Sequence, residues 1–524
     1  MELSRRSLIA GTGALVAGGA LGMITLEGVA QAEAAEEADN TLSYDAIDIE
    51  QATAEEVEAV LSGSDTETLL VDARPQEAYA GWALEGAANG GHLAGAKLFS
   101  ARWMDCDYAQ EAPRTCYLER AMADQGIVSG GKAIVYDYSG AQAVEVARYL
   151  ASQGVNVKSF QANELIDEGS NLVSYEHYQR FVPTELVKSV SDVKTGKADA
   201  LTDEAAAVFG DDVDRILIFD CGWGNAKTSS YYMTGHVPGA IHMNTDCYER
   251  PRVYVPEKRS SYAKEWRLIP LEEFRDELCP RYGITKDSVV IVTGAGSAPI
   301  ARFSWMLRCV GVEVYAMIGK LTAWKYNGYE LDTDESTLVI PNTVESFGED
   351  GEIAHADEVL WMDDILAIYN GEREGQICDN RDSDCWYGLY SGYSYHDLAG
   401  TLEGAIWTIE GDDKGEYFEA ADGTPRTYEE YVAYLEGCGC DTTKTMAFFC
   451  GDSWGAAAIS YWCQSTDLMT AMQWGDGWIP WSNEGHEFID HNGNKVHYDK
   501  WLDTVVDAEG NDMRDGVNIL DDAQ

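Results

Sequence analysis

The chain has 524 residues, 45% of them hydrophobic, and its formal net charge at pH 7 is −53. This length is too great for a single core and predicts about three domains, while the hydrophobic content is that of a folded protein. The strong negative charge excludes nucleic acid and anionic membrane surfaces as partners.

The N-terminus has the features of an export signal. Arg5 and Arg6 are followed by a Gly/Ala-rich apolar stretch up to Leu26, and residues 30–32 (Ala-Gln-Ala) have the small-x-small pattern of a cleavage site. These features predict a twin-arginine signal peptide over residues 1–32. We therefore expect a periplasmic or other extracytoplasmic protein that has no membrane contact beyond export.

Three markers recur along the chain in the same order. The first is an apolar strand that ends in an acid, at 69–74, 216–222 and 376–381. The second is the turn Gly-x-x-x-Gly-Ala, at 91–96, 235–240 and 400–405. The third is another apolar strand that runs into a loop, with first loop residues at 137, 293 and 450. Because these loop residues recur at intervals of 156 and 157, we infer an internal repeat.

Helical patterns lie between these strands and after each loop. They cover 54–61, 271–278 and 428–435, and then 144–150, 300–307 and 456–462. Strands that alternate with helices of this length predict an α/β fold in which each repeat is a small parallel sheet flanked by helices. The predicted units are domains at 45–190, 203–341 and 357–500, polar linkers near 189–202 and 342–357, and an acidic tail at 501–524.

The third loop is the one that begins with a cysteine. Cys450 follows an apolar strand, and a glycine-bounded loop at 451–455 runs directly into an Ala-rich helix. Loop N–H groups and a helix N-terminus favour negative charge on sulfur, which makes this thiol more reactive than a free one of pKa about 8.5. We therefore predict that Cys450 is a nucleophile that carries sulfur as a persulfide, with no metal or other cofactor.

Together the three markers resemble the rhodanese sulfurtransferase family, as three tandem domains that cover nearly all of the chain after the signal. The resemblance implies an enzyme that takes sulfur from a small donor on Cys450 and passes it to a thiophilic acceptor, for example a protein thiol. It also implies that Arg381 binds an anionic donor. The residues implied to cradle the bound sulfur are Gly451, Asp452, Ser453, Trp454 and Gly455. The first two domains are expected to be inactive, because Asp137 and Thr293 replace the cysteine.

The loop differs from that of family members that use thiosulfate, which commonly carry basic residues after the cysteine. Gly451 and Asp452 stand there instead, and an acid beside an anionic donor is repulsive by roughly 1 kcal/mol. Polysulfide, a protein persulfide and a small thiol-bearing donor therefore stay open as alternatives to thiosulfate.

Two other functions fit parts of the pattern. Phosphatases of the Cys-x5-Arg type share the order of strand, cysteine, loop and helix, but the residue six positions after Cys450 is Ala456 rather than a phosphate-binding arginine. Because two repeats lack the cysteine, the alternative function is a persulfide carrier or scaffold that serves exported enzymes without turnover.

Overall fold

The computed structural model describes residues 46–105, 114–227, 229–250, 267–348, 352–393, 396–409, 417–517 and 519. They belong to the unit Leu42–Gln524. A separate unit, Met1–Thr41, contains the predicted signal peptide at 1–32 and lies outside the described residues. Within the described part, no helix combines the length and the apolar character that crossing a membrane requires.

Three five-stranded sheets follow one another along the chain. The strands of the first sheet are Glu50–Gln51, Thr68–Asp72, Lys97–Leu98, Lys132–Asp137 and Asn156–Gln161. Those of the second are Phe181–Val182, Ile216–Gly222, Ile241–Asn244, Val289–Thr293 and Glu313–Met317. Those of the third are Val359–Leu360, Gln376–Asp379, Ile406–Trp407, Met446–Phe449 and Ala471–Trp474. In each sheet the strands are parallel and lie in the spatial order 1-5-4-2-3, which confirms the predicted α/β class.

Helices connect the strands of each sheet. Around the first sheet they are Ala54–Leu61, Gln76–Ala80, Arg114–Asp124, Ala141–Ser152 and Asn163–Glu168. Around the second they are Thr184–Lys194, Asp203–Phe209, Ser230–Thr234, Leu271–Glu273, the π-helical turn Phe274–Leu278, Cys279–Arg281, Ser297–Cys309 and Lys320–Tyr326. Around the third they are Met362–Tyr369, Ser383–Trp386, Tyr428–Gly437, Trp454–Ser465 and Trp478–Asn483. Two of the predicted helices begin with a capping box formed by a threonine and a glutamate three residues later, at Thr53 and Thr427.

The register brings the acid at the end of one strand beside the loop of its neighbour. In the third sheet Asp379 lies opposite Phe449, the residue before Cys450. In the second sheet Asp220 lies opposite Thr293. Because the carboxyl ends of parallel strands meet at one edge of a sheet, that edge is where a ligand site is expected.

The second sheet includes residues that were predicted to belong to the end of the first domain. Phe181–Val182 pairs with a strand of the second sheet, and the helix Thr184–Lys194 buries Val187 and Val190 in the core of that sheet. Residues 181–194 therefore pair and pack with the second sheet, whereas the predicted first domain extends to residue 190. The polar composition of this stretch suggested a linker, but it belongs to the exposed side of a helix whose other side is buried.

The segment predicted as an acidic tail at 501–524 contains a strand of a further sheet. Thr504–Asp507 pairs antiparallel with Lys495–Asp499, which in turn pairs with Phe488–Ile489. Val505 is buried in the core of the third sheet. Two further antiparallel pairs are His92–Leu93 with Leu172–Val173 and Glu249–Arg250 with Arg267–Leu268.

The second and third sheets share one hydrophobic core. The helix Ser297–Cys309 packs directly against the helix Trp454–Ser465, and each is the helix that follows the loop of its own sheet. The ring centroids of Trp305 and Tyr461 are 5.8 Å apart at this contact. The helix that follows Cys450 is therefore held between its own sheet and a helix of the second sheet.

Candidate active site

Cys450 lies where the strand Met446–Phe449 ends, and only 2% of its surface is exposed. The loop ends at Ser453, whose left-handed backbone (φ 66°) turns the chain into the helix Trp454–Ser465. A non-glycine residue in this conformation costs about 1 kcal/mol, and such strain is typical of functional loops. The N–H groups of the first helical turn have no partner within the helix, so they are available to an anion.

Main-chain hydrogen bonds fix one side of this loop. The N–H of Trp478 donates to the carbonyl oxygen of Cys450 (3.0 Å), and the N–H of Ile479 donates to that of Gly451 (2.9 Å). Gly477 has a φ of 90°, and a Cβ there would lie 2.6 Å from the Gly451 carbonyl oxygen. The close approach of the two backbones therefore requires glycine at position 477.

Tyr393 packs against the other side of the loop. The N–H of Gly451 donates to its hydroxyl oxygen (2.9 Å), and a Cβ on Gly451 would lie 2.0 Å from its ring. The phenol group therefore contacts the peptide that follows Cys450. The sequence gives no sign of this contact, because Tyr393 lies 57 residues before Cys450 in a Tyr/Ser/Gly-rich segment that has no periodic pattern.

The loop of the first sheet shows which main-chain groups hold an anion in this architecture. Asp137 occupies the cysteine position, and its carboxylate accepts the N–H of Gly140 and that of Gln142 (2.8 Å). Burial raises the pKa of Asp137, and these main-chain bonds oppose the rise. Counted from the first loop residue, the equivalent positions of the third loop are Ser453 and Gly455. Gly140 and Ser453 also share the left-handed backbone that precedes the helix.

We expect Cys450→Asp to fold and to lack sulfur chemistry, because its carboxylate can fill the loop as that of Asp137 does. At pH 7 its free energy of unfolding should exceed that of Cys450→Asn by about 1 kcal/mol, since a charged acceptor makes the stronger bonds to N–H groups. Urea unfolding of the two purified variants measures this difference. A less stable aspartate variant would show that the third loop does not favour an anion.

The second loop has neither a thiol nor a carboxylate at its first position. Thr293 is buried there, and its hydroxyl oxygen lies 3.8 Å from the sulfur of Met317. Gly222 stands where the other two repeats have an arginine, and burial raises the pKa of Asp220 to about 8. This loop therefore offers no group that could carry sulfur.

Arg381 is buried, and its contacts have counterparts around the first sheet. Its guanidinium donates to the carboxylate of Asp379 (2.6 Å) and to the carbonyl oxygen of Gly400 (2.8 Å). Arg74 donates in the same way to Asp72 (2.7 Å) and to a glycine carbonyl. Because the first sheet has no loop thiol, this recurrence favours a structural role for Arg381 over the predicted contact with a donor.

Arg381→Met and Arg74→Met are expected to lower the free energy of unfolding by similar amounts, about 3 kcal/mol, because each leaves a buried carboxylate without its partner. Neither should change the KM for an anionic sulfur donor by more than about twofold. Thermal unfolding and steady-state kinetics measure the two effects. A selective rise in KM in the Arg381 variant alone would restore the donor-binding role.

Residues around the second sheet cover the start of the helix that follows Cys450. The ring centroids of Trp223 and Trp454 are 5.0 Å apart, and the guanidinium carbon of Arg302 lies 4.3 Å from the centroid of Trp454. Nη1 of Arg302 donates to the carbonyl oxygen of Asp452, and Nη2 lies 2.8 Å from the carboxylate of Glu249. Trp223, Glu249 and Arg302 could not be predicted as neighbours of this loop, because they lie more than 140 residues before it in the sequence and carry no local motif.

The structure thus brings residues 450–455 together in one loop. It places Arg381 outside this loop, in a buried ion pair with Asp379. Asp452 and Ser453 are buried, and the Ser453 hydroxyl has no hydrogen-bond partner among the described residues. The described residues also contain no group of three or more His, Cys, Asp or Glu side chains that is placed to hold a metal ion.

A cavity of about 770 Å³ lies near the loop but is separate from it. Its lining includes Trp361, Asp476, Glu484 and His486, and none of the residues 450–455. The candidate site is therefore the loop itself rather than this opening.

The chain resembles known proteins in the sequence of one segment and in its fold. Residues 202–327 match the family model of the rhodanese-like domain. No curated protein matches the sequence. The anaerobic ergothioneine biosynthesis enzyme from Chlorobium limicola, solved with its natural substrate trimethyl histidine, is 22% identical with a TM-score of 0.67, and the alignment covers 83% of this chain and 97% of that one.

Two structures of EanB give similar values. Wild-type EanB is 23% identical with a TM-score of 0.66, over 83% of this chain and 96% of that one. An EanB variant with a cysteine persulfide, in a tetrahedral intermediate state with ergothioneine, is 22% identical with a TM-score of 0.66, over 83% and 97%. The chain therefore shares the fold of these proteins over most of its length, and its residues 202–327 form a rhodanese-like domain.

Proposed function

We propose that this chain is a sulfurtransferase in which Cys450 carries the transferred sulfur as a persulfide. One observation carries the proposal: a thiol stands at the loop position where, in the first sheet, main-chain N–H groups bind the carboxylate of Asp137. A thiolate or persulfide needs the same donors. The rhodanese-like domain at 202–327 and the cysteine persulfide of the similarly folded EanB variant support it.

The reaction has two displacements at sulfur. The Cys450 thiolate attacks the sulfane sulfur of the donor, a new S–S bond forms, and the rest of the donor leaves with the electron pair of the broken bond. A nucleophilic acceptor then attacks the terminal sulfur of the persulfide, and the Cys450 thiolate leaves with its electron pair. The N–H groups of Ser453 and Gly455 stabilise the anionic sulfur in both steps.

We further propose that all three sheets are rhodanese-like domains in tandem, and that only the third is active. The common strand order 1-5-4-2-3 supports the first statement. The residues at the loop position, Asp137, Thr293 and Cys450, support the second.

The surroundings of Cys450 favour a donor that carries little charge at its reacting sulfur. Asp452 is buried beside the thiol's loop, and a carboxylate there repels the charged end of thiosulfate. A protein persulfide and a small thiol-bearing donor fit better, and polysulfide, although an anion, stays open because the inner sulfur that a thiolate attacks carries little charge. Because the similar structures were solved with trimethyl histidine or ergothioneine, trimethyl histidine belongs among the acceptors to be tested, beside cyanide and dithiothreitol.

The test is mass spectrometry of the purified protein after exposure to polysulfide and, separately, to thiosulfate. A persulfide adds about 32 Da, one sulfur atom, to the peptide that contains Cys450. Release of that sulfur in repeated cycles to any of the three acceptors is expected from an enzyme. A stable adduct without turnover would instead identify the alternative, a persulfide carrier or scaffold for exported enzymes. No adduct with either donor would contradict both.

We also propose that the protein acts outside the cytoplasm, on the basis of Arg5, Arg6 and the segment that follows them. Cell fractionation of the wild-type chain and of an Arg5→Lys/Arg6→Lys variant tests this. Equal export of the two would contradict a twin-arginine route.

A further inference from the structure

Arg302 reaches from the second domain into the loop of the third. It is fully buried on the helix Ser297–Cys309, and Nη1 donates to the carbonyl oxygen of Asp452. Its other contacts hold it in place, because Nη2 lies 2.8 Å from Glu249 and the guanidinium lies over the ring of Trp454. Burial raises the pKa of Glu249, and the charge of Arg302 opposes that rise.

The carbonyl group that Arg302 contacts belongs to the peptide that links Asp452 and Ser453. The oxygen of Asp452 and the N–H of Ser453 are the two ends of one planar unit, and in a trans peptide they point in opposite directions. The N–H of Ser453 is the counterpart of the Gly140 N–H, which binds the Asp137 carboxylate. A cation on the carbonyl end fixes this peptide and polarises the N–H at the sulfur end, because hydrogen bonds in a chain strengthen one another.

We infer that the second domain, which lacks a loop cysteine, supplies Arg302 as a positioning residue that aims and polarises the Ser453 N–H toward sulfur on Cys450. This inference rests on the proposed sulfurtransferase function. It gives the second domain, which has Thr293 in place of the loop cysteine, a direct part in the chemistry of the third. Arg302 does not touch sulfur itself and acts through the Asp452–Ser453 peptide.

Arg180 provides a matched control at the same interface. It is also buried and donates to the side-chain oxygen of Gln464 (2.5 Å), near the opposite end of the helix Trp454–Ser465. Replacing either arginine removes a buried contact to this helix. Only Arg302 contacts the loop.

The experiment compares Arg302→Met, Arg302→Lys and Arg180→Met in the full-length protein, with polysulfide as donor and cyanide as acceptor. We expect Arg302→Met to lower kcat about 30-fold with KM within about threefold, since one anion-stabilising N–H is misaligned. Arg302→Lys keeps a charged donor and should recover about half of that loss on a logarithmic scale. In the two Arg302 variants the alkylation of Cys450 by iodoacetamide should slow along with kcat. Arg180→Met should change neither kcat nor the alkylation rate by more than about twofold.

The outcomes separate this inference from the proposed function. Absence of a persulfide in the wild-type protein would contradict the function itself. A wild-type persulfide together with equal losses of kcat in Arg302→Met and Arg180→Met would overturn the role of Arg302, because interface packing would then explain both. If Arg302→Met does not fold, Arg302→Lys decides, and wild-type kcat in that variant would overturn the inference.

Discussion

Replacing Cys450 with serine is expected to abolish sulfur transfer, with a fall in turnover of about 10³-fold or more and no persulfide on the protein. The hydroxyl is not ionised near neutral pH and cannot form the S–S bond that the first displacement requires. The loop itself should stay intact, because its bonds to Trp478 and Ile479 come from the main chain. Transfer of sulfur from polysulfide to cyanide and intact-mass measurement of the same samples test both expectations.

The control for this change is Cys438→Ser. Cys438 is a partly exposed thiol of the same domain and lies at the end of the helix Tyr428–Gly437. Its replacement should leave turnover within about twofold of the wild type, as for a surface substitution. Turnover that survives in Cys450→Ser, or that is lost equally in both variants, would refute the assignment of Cys450.

A methyl group on Gly451 should disable the loop by displacing Tyr393. The added Cβ would lie 2.0 Å from the ring, so the tyrosine has to move and loses its hydrogen bond from the Gly451 N–H. We expect Gly451→Ala to lower turnover about 100-fold and the free energy of unfolding by about 2 kcal/mol. Kinetics and urea unfolding of the variant measure both effects.

Two further variants isolate the cause of that loss. Gly437→Ala introduces the same methyl group at a helix end where no atom lies within 4 Å, and it should be neutral or slightly stabilising. In a Tyr393→Ala background, Gly451→Ala should cost much less than in the wild type, because the clashing ring is gone. Equal costs in the two backgrounds would show that Gly451 acts independently of Tyr393.

The parts of the site that are contiguous in sequence could be predicted. The order of strand, Cys450, loop and helix is set by local patterns, namely an apolar run, a glycine-bounded turn and an Ala-rich segment. The structure places the end of the strand at Phe449 and the start of the helix at Trp454. The repeat itself was visible because the spacing of loop residues is nearly constant.

The parts that depend on tertiary packing could not be predicted. Tyr393 and Arg302 lie 57 and 148 residues before Cys450, and nothing in their neighbours indicates which loop they contact. Arg381 was placed at the correct strand end, but the direction of its side chain depends on the carbonyl oxygen of Gly400, which belongs to a separate turn. Local pattern thus gives the position of a residue along the chain, while its side-chain partner is decided by the fold.

With 2% of Cys450 exposed and a tyrosine ring against its loop, a sulfur atom held there is shielded from stray thiols that would strip it in open water. Because so little of Cys450 is exposed, its reaction with donors and acceptors requires the surrounding side chains to move. The size of an acceptor and the rate of these side-chain movements then influence which acceptor reacts, in addition to its nucleophilicity.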